Sequence, residues 1–429
     1  MTERVPSRSD KASHLRRECI AGATTFLAMA YITVVNPTIL AQAGMDFGAV
    51  FVATCLAAAF GSAAMGLLAN YPIALAPGMA QNAFFTFAVV MGDGHSWQTA
   101  LGAVFISGIL FVLLSVLPFR EWLINAIPKS LKLGMAGGIG LFIGFIALKN
   151  AGIVVDNPAT LTGLGDLTAF GPVMCLIGFV VITAMTARGW SGAVIIGILL
   201  VSIVGWLSGH VAFEGLYSMP PSVAPVFLQL DIAGALQWSM ITVVLSFLIV
   251  DVFDTAGTLV AVATRADLVD EKHQLPRLRP ALLADSSATV VGALVGTSST
   301  TSYIESAAGV EAGGRTGVTA IVCSAFFLVA LFLAPLAQSI PSYATASALL
   351  FVACLMARSL ADLEWDDLSE SVPAVIAALA MPLTFSIADG IGVGFLCFAG
   401  VKVLSGRFRE CPSVVFVVAA IFALKYVFL

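Results

Sequence analysis

Four carboxylic acids interrupt long apolar stretches in the second half of the chain: Asp251, Asp254, Asp285 and Glu305. Apolar stretches of this length are typical of membrane-spanning helices, and a carboxylate there costs about 2.5–3.5 kcal/mol on insertion scales. Asp251 and Asp254 are three residues apart, which puts them on one face of a helix. This spacing predicts a polar site in the protein interior.

Carboxylates accept hydrogen bonds from N–H donors, and a buried carboxyl group can also exchange a proton. We assign proton exchange to Asp251 or Asp254, and mainly substrate binding to Glu305. Glu305 follows a Thr- and Ser-rich run at the start of a predicted short helix, where free N–H groups compensate its charge. Asp285 is expected to be structural, because it sits early in its helix.

The elements that position these acids are predicted to be membrane helices. Hydrophobic residues make up 59% of the 429 residues and charged residues 10%, which excludes a water-soluble globule. Hydropathy predicts helices over 20–41, 48–69, 72–90, 99–119, 133–149, 170–187, 191–208, 236–263, 280–295, 302–312, 317–336, 343–357, 373–387 and 389–405. Asp389 falls in the turn before the last of these and is expected to be solvated or to cap a helix. An apolar stretch over 414–429 either crosses the membrane, lies at its interface, or shows that the preceding pair is divided wrongly.

The basic residues predict the orientation. If residues 1–18 form a cytoplasmic tail, alternate threading brings nearly every group of Lys and Arg to the cytoplasmic side. We therefore predict a multi-pass protein of a bacterial inner membrane with a cytoplasmic N-terminus. Two amphipathic connectors, 120–132 and 358–371, are expected along the cytoplasmic surface. Their apolar side chains facing lipid are Trp122, Leu123, Leu363 and Trp365.

Two segments do not have the pattern of ordinary spans. Residues 70–87 carry Pro72, Pro77 and Gly78, and residues 296–310 open with a run of Thr and Ser. Both compositions favour extended backbone entering a short helix. Each segment is third in its half of the chain, which indicates an internal repeat whose broken helices meet at the midplane. Substrate sites form there, because irregular backbone in a bilayer must border protein or a polar cavity.

Cysteine and histidine give no sign of catalytic or metal chemistry. The seven cysteines are single residues without the paired spacing of a metal site or a disulfide framework. The four histidines fall in predicted loops or the tail. A membrane enzyme would need a nucleophile with its base, or a metal cluster, so the sequence predicts neither a catalytic residue nor a metal ligand.

Six runs of sequence resemble one family closely in both order and spacing. They are AGATTFLAMAYITVVNP (21–37), MGLLANYPIALAPGM (65–79), GIGLFIGFIALKNAGIVV (138–155), DVFDTAGTL (251–259), GTSSTTSYIESAAGVEAGGRTGVTA (296–320) and MPLTFSIADGIGVGF (381–395). In these runs the chain resembles the AzgA-like adenine, guanine and hypoxanthine permeases of the nucleobase cation symporter (nucleobase-ascorbate transporter) superfamily.

The resemblance implies an all-α polytopic membrane protein of the uracil-permease type. Its fourteen transmembrane segments would form two inverted repeats of seven helices, with short β-strands in helices 3 and 10. A core domain would comprise 19–119 and 236–338, and a gate domain 120–235 and 339–429. The substrate would sit between the two strands, against helix 8.

The resemblance also implies the roles of individual residues. Asn82, Asp251 and Glu305 would bind the substrate, and Asp254 would be important for transport. Ala80, Phe84 and Thr300 complete the predicted binding set. Where related sequences usually read Gly-Met-Gly-Leu-Asn, this chain has the segment 78–82, with Ala80 and Gln81 in place of Gly and Leu. The methyl group and the amide are expected to alter the pocket.

The resemblance implies proton-coupled uptake of purine nucleobases by alternating access, and the acids suit that substrate. Carboxylates accept purine N–H hydrogens, Asn82 both donates and accepts, and Phe84, Phe85 or Tyr303 can cover a ring face. The proton is the expected coupling ion, and no cofactor or nucleic-acid partner is expected. Membrane lipid surrounds the protein, and a homodimer is compatible with related folds.

Two transporter alternatives stay open. An anion exchanger of the same architecture would bind a small anion between facing helix N-termini, but Glu305 would repel such a substrate. A uracil, xanthine or ascorbate symporter would share the fold, although the sequence motifs DVFDT and SYIES favour a purine substrate.

Overall fold

The computed structural model describes residues 8–116, 127–158, 160–266, 268 and 275–428. The α-helices, numbered α1 to α18 here, are Arg8–Met29, Ile32–Ala41, Phe47–Ala64, Met79–Ala83, Trp97–Val116, Lys129–Asn150, Phe170–Ala187, Ala193–Leu207, Ile232–Ala235, Ile241–Arg265, Leu278–Val295, Ser306–Glu311, Gly317–Ala330, Ala334–Gln338, Ser342–Ala357, Leu368–Thr384, Ile387–Leu404 and Ser413–Phe428. The strands β1 to β4 are Leu75–Pro77, Val154–Asn157, Leu161–Leu164 and Thr300–Ser302.

The described chain has the helices of a multi-pass membrane protein. Ten helical stretches are long and apolar enough to cross a membrane, and four shorter helices of 10–17 residues are also apolar. The predicted apolar stretches therefore do form helices. Large hydrophobic side chains such as Leu207 and Leu404 stay more than 80% exposed, as expected of surfaces that face lipid.

The helix boundaries near the end of the chain differ from the predicted ones. The turn between α16 and α17 falls at Phe385 and Ser386, so the predicted turn around Asp389 was placed too late. Asp389 lies in the first turn of α17, where its carboxylate accepts a hydrogen bond from Lys425 of α18 at 3.0 Å. The leftover apolar stretch is thus a helix of its own that packs against α17. Asp389 is an ion-pair partner rather than a solvated turn residue.

The first predicted helix is in fact two helices, α1 and α2, with a break at Ala30 and Tyr31. α1 also reaches back into the predicted tail. Within it Glu18 is only 1% exposed, and its carboxylate accepts hydrogen bonds from the backbone N–H groups of Arg315 and Thr316 at 3.1 and 3.4 Å. This carboxylate satisfies N–H groups just before α13, which ties the start of the chain to its second half.

The two irregular segments meet as a buried antiparallel strand pair. β1 pairs with β4 in the register Leu75 to Ser302, Ala76 to Thr301 and Pro77 to Thr300. Pro77 has no backbone N–H to donate, so it stands at the end of β1, where a ladder bond is dispensable. After the strands the chain enters α4 and α12, respectively. The other pair, β2 with β3, is a largely exposed hairpin that hydropathy did not predict.

The connector before α16 is partly buried. Residues 358–362 form a short 3₁₀-helix, and Leu363 is 6% exposed, so its predicted lipid-facing position was wrong because it packs into the protein. Trp365 is 56% exposed. Hydrogen bonds from Ser369 and Arg407 lower the pKa of Asp367 to about 2, which keeps its ion pair with Arg407 charged. The other predicted pair, Trp122 and Leu123, lies outside the described residues.

Glycine permits the closest helix contact around the strand pair. A Cβ on Gly317, at the start of α13, would lie 2.0 Å from the carbonyl oxygen of Gly66, and one on Gly66 would lie 2.5 Å from that of Gly317. The side-chain oxygen of Asn70 accepts a hydrogen bond from the N–H of Gly317 at 2.9 Å. A Cβ on either glycine would thus meet backbone atoms of the other and not only flexible side-chain ends, so a methyl group would push the two backbones apart.

Gly317→Ala is therefore expected to destabilise the fold by about 1–3 kcal/mol through overpacking. The measurement is the midpoint of thermal unfolding in detergent or nanodiscs. Gly400→Ala is the matched control, because a Cβ there has nothing within 4 Å and alanine is favoured over glycine in a helix by roughly 0.5–1 kcal/mol. Equal midpoints for the two variants would show that the crossing tolerates a methyl group.

Candidate functional site

The candidate site lies where the strand pair meets the long helix α10. This helix packs against β4, α4 and α12. After α4 the chain continues as a π-helix over Phe84–Gly92, with five-residue hydrogen-bond spacing. Such π-helical stretches are rare and frequently accompany functional sites. Three chain segments far apart in sequence thus meet in the protein interior.

Asp251 is a deeply buried acid with one oxygen unused. Its side chain is 1% exposed. Thr289 Oγ1 of α11 lies 3.0 Å from both Asp251 Oδ2 and the carbonyl oxygen of Thr300, so a hydroxyl links the acid to β4. Oδ1 has no hydrogen-bond partner among the residues that the structure describes. Asp251 can therefore still accept a donor or a proton.

Asp254 stands one helical turn further along α10 and connects the acids. Its carboxylate lies beside the amide of Gln81 and close enough to Glu305 and to Asp251 for direct electrostatic interaction. The structure thus brings Asp254 close to both Asp251 and Glu305. Concentrated negative charge in an apolar surrounding favours sharing of protons or of positively polarised N–H groups.

Glu305 is held by a residue that sequence reasoning missed. The hydroxyl of Tyr31 donates a hydrogen bond to Glu305 Oε1 at 2.5 Å. Tyr31 is 1% exposed and lies at the break between α1 and α2. Glu305 precedes α12 but makes no side-chain capping bond to it, so its carboxylate is not used up by the helix start.

Asn82 is one of several buried residues with a polar side-chain atom that lacks a hydrogen-bond partner. Its Oδ1 accepts a hydrogen bond from the hydroxyl of Ser298, whereas its Nδ2 is unpaired within the described chain. The same is true of Gln81 Oε1, of Ser299 Oγ and of Thr300 Oγ1. Each unpaired buried group costs about 1–3 kcal/mol. Several beside one another favour a surface that binds a polar ligand.

Asp285 is also close enough to Asp251 and Asp254 for electrostatic interaction, but its own oxygens have hydrogen-bond partners. It is fully buried and accepts hydrogen bonds from Thr255 Oγ1 at 2.6 Å and from Ser302 Oγ at 2.8 Å. Both oxygens are thus occupied in joining α10, α11 and β4, which fits a structural role. The predicted reason was wrong, because α11 begins at Leu278 and Asp285 lies beyond its first turn.

The residues predicted to cover a face of the substrate ring have different contacts in the structure. Phe84 is 1% exposed and its ring centroid lies 4.7 Å from that of Phe247 on α10. The hydroxyl of Tyr303 donates to the carbonyl oxygen of Pro77 at 2.6 Å and so fastens the two strands together. Ala80 is 3% exposed, and its methyl group lies in the core. Contact of these side chains with a substrate stays a prediction.

Asn36 is a second residue that the sequence did not single out. Its Nδ2 donates to Thr54 Oγ1 at 2.6 Å and to Thr297 Oγ1 at 2.8 Å, which connects α2, α3 and the segment before β4. The only local signal was an amide in an apolar helix. Its partners, like the partner of Tyr31, lie in other segments of the chain.

Comparison with known proteins gives one consistent result. The family model described as "Permease family" (Xan_ur_permease) matches residues 16–393. The adenine permease AdeP of Escherichia coli (strain K12) is 48% identical over 429 residues, covering 100% of this chain and 96% of that protein. The guanine/hypoxanthine permease PbuG of Bacillus subtilis (strain 168) is 47% identical over 428 residues, covering 96% and 97%. The solved transmembrane domain of the cyanobacterial bicarbonate transporter BicA superposes with a TM-score of 0.68 at 15% identity, covering 89% of this chain and 97% of that one.

Proposed function

The chain belongs to the Permease family, and we propose that it carries purine nucleobases across a membrane together with protons. It is an integral multi-pass membrane protein and a transporter rather than an enzyme. Relatives similar over nearly the full length are named as adenine and as guanine/hypoxanthine permeases, which supports a purine substrate. The observation that carries the proposal is the meeting of Asp251, Asp254 and Glu305 beside buried, unpaired polar atoms.

The geometry supports a neutral base better than a small anion. Asp251 Oδ1 and the carboxylates of Asp254 and Glu305 are acceptors for purine N–H groups. Asn82 Nδ2 and the hydroxyl of Thr300 are donors for ring nitrogens. An anion such as bicarbonate would face three carboxylates in a medium of low dielectric, where repulsion between like charges is strong. The likeness to BicA extends to the fold alone.

For coupling, we assign the proton to the pair on α10. Asp251 is the primary candidate because one of its oxygens is buried and unpaired, and Asp254 is its neighbour. A proton on this pair removes charge from the site and makes movement through a closed intermediate less costly. Glu305, held by Tyr31, is assigned mainly to substrate binding.

We further propose the two-domain arrangement that the sequence predicted. Fourteen segments would form inverted repeats, with a core of 19–119 and 236–338 carrying the site and a gate of 120–235 and 339–429. The pairing of β1 with β4 supports this, since equivalent broken segments cross at one point. So does the packing of α6 against α15 and α16, all in the gate. Alternating access would then move the site between a cytoplasmic and an external opening, with the N-terminus in the cytoplasm.

The test is uptake of radiolabelled adenine, guanine, hypoxanthine, uracil and sulfate into proteoliposomes, with and without an inward proton gradient. We expect saturable purine uptake that the gradient drives to accumulation, roughly tenfold for each pH unit if one proton accompanies each base. Empty liposomes and a protonophore are the controls. Sulfate uptake without purine uptake would overturn the proposal, and purine uptake that ignores the gradient would overturn the coupling.

A further inference from the structure

Gln81 carries a buried side-chain amide whose oxygen has no partner among the described residues. Its side chain is 0% exposed, and Oε1 makes no hydrogen bond with any described residue, whereas the amide group also lies beside the carboxylate of Asp254. An apolar residue of similar size could fill the same volume without the desolvation cost of about 1–3 kcal/mol per unpaired group. An amide at this position is therefore better explained by a ligand than by packing.

The position of the amide points to the substrate site. Gln81 Oε1 lies so close over Gly78 that a Cβ built there would be 2.1 Å from it, and the methyl group of Thr301 meets the same point at 2.8 Å. Oε1 thus lies at the crossing of β1 and β4. The neighbouring residue is Asn82, whose Nδ2 is also unpaired.

The carboxylate of Asp254 fixes which end of the amide is free. It lies beside the Gln81 side chain, and a carboxylate attracts the N–H end of an amide and repels its oxygen. With Nε2 facing Asp254, Oε1 is the atom left to meet a ligand. Oε1 and the second oxygen of Asp254 then form two adjacent acceptors.

We propose that Gln81 is a specificity-determining residue that favours purines with an exocyclic amino group, adenine above all, over purines that carry only an oxo group. An amino group has two hydrogens and so serves both acceptors at once. The oxo group of hypoxanthine offers none and would face Oε1 with a lone pair. The inference rests on the proposed purine function and names the substrate preference of the same site.

The first experiment uses the unaltered protein. Inhibition of labelled adenine uptake is measured with adenine, hypoxanthine and unsubstituted purine, which lacks any group at the 6-position. Adenine is expected to bind more tightly than either analogue by roughly five- to hundred-fold, the factor for a hydrogen-bond acceptor left unpaired. Equal inhibition by all three would overturn the proposal.

The second experiment changes the residue. In Gln81→Leu the preference for adenine over unsubstituted purine is expected to fall to within about threefold, with purine itself retained because its ring contacts remain. Tyr343→Phe is the matched control, because it also removes an unpaired buried polar atom but lies on α15 against Phe170. Its preference is expected to equal that of the unaltered protein, and an adenine preference that survives in Gln81→Leu would count against Gln81.

The two proposals fail in different ways. If no purine enters proteoliposomes of the unaltered protein, the proposed function is wrong. If purines enter but adenine has no advantage over unsubstituted purine, the function stands and the role of Gln81 is wrong.

Discussion

Glu305→Gln is expected to lower purine uptake at limiting substrate concentration by about a hundredfold. The carboxylate is an acceptor only, its Oε1 is held by Tyr31 at 2.5 Å, and in the proposed complex the base donates an N–H group to it. Hydrogen bonds to charged groups contribute about 1.5–3 kcal/mol, and an amide turned the wrong way adds repulsion. Uptake measured over a range of purine concentrations will show whether the loss is in KM, as expected for a binding residue.

Tyr31→Phe tests the same contact from its other side. Without the phenolic hydroxyl the carboxylate loses its fixed orientation, so KM is expected to rise by roughly tenfold while the maximal rate changes little. Asp389→Asn is the control for Glu305→Gln, since its acid pairs with Lys425 at the end of α17 and not with the site. Wild-type KM values in both Glu305→Gln and Tyr31→Phe would remove Glu305 from the site.

Asp251→Asn is expected to abolish accumulation of purine driven by a proton gradient. An asparagine side chain cannot exchange a proton at any physiological pH, and the unpaired Oδ1 is the atom that would receive it. An inward gradient of one pH unit corresponds to about 1.4 kcal/mol, or tenfold accumulation for one proton per base. We expect the ratio of internal to external purine to fall to one in this variant, with weakened purine binding.

Asp254→Asn distinguishes the role of Asp254 in proton coupling from that of Asp251. If Asp251 carries the proton, Asp254→Asn keeps some gradient-driven accumulation, while Asp251→Asn keeps none. Asp389→Asn again provides a carboxylate-to-amide change away from the site. Accumulation in Asp251→Asn together with its loss in Asp254→Asn would move the coupling role to Asp254.

Much of the fold could be predicted because lipid imposes simple rules. Apolar runs of sufficient length become helices, and Pro77 and the Thr and Ser run before Glu305 mark the two places where the backbone is extended. The positions of the helix ends could be predicted less well. The break at Tyr31 falls inside a continuous apolar run, and the burial of Leu363 depends on how the connector packs.

The acids of the site were predictable, but their partners were not. Asp251, Asp254 and Glu305 stand out because a charge in an apolar run is costly, and Asp251 and Asp254 are also only three residues apart. Tyr31 is 274 residues from Glu305, and Thr289 is on a different helix from Asp251, so no local pattern links them. Gln81 was visible as an unusual amide, yet only the fold shows that its oxygen has no hydrogen-bond donor among the described residues.

The strand pair also sets an order of biosynthesis. Tyr303, which fastens β4 to Pro77, follows it by 226 residues. At translation rates of about 5–20 residues per second, β1 waits roughly 10 to 45 s for its partner. During that time the carbonyl group of Ala74 and the N–H group of Gly78, which pair with Tyr303 and Ser299 in the fold, lack these partners inside the bilayer, where an unpaired group costs several kcal/mol. The half-made chain is thus the vulnerable species, and membrane chaperones or quality-control proteases would act on it before the second half of the chain arrives.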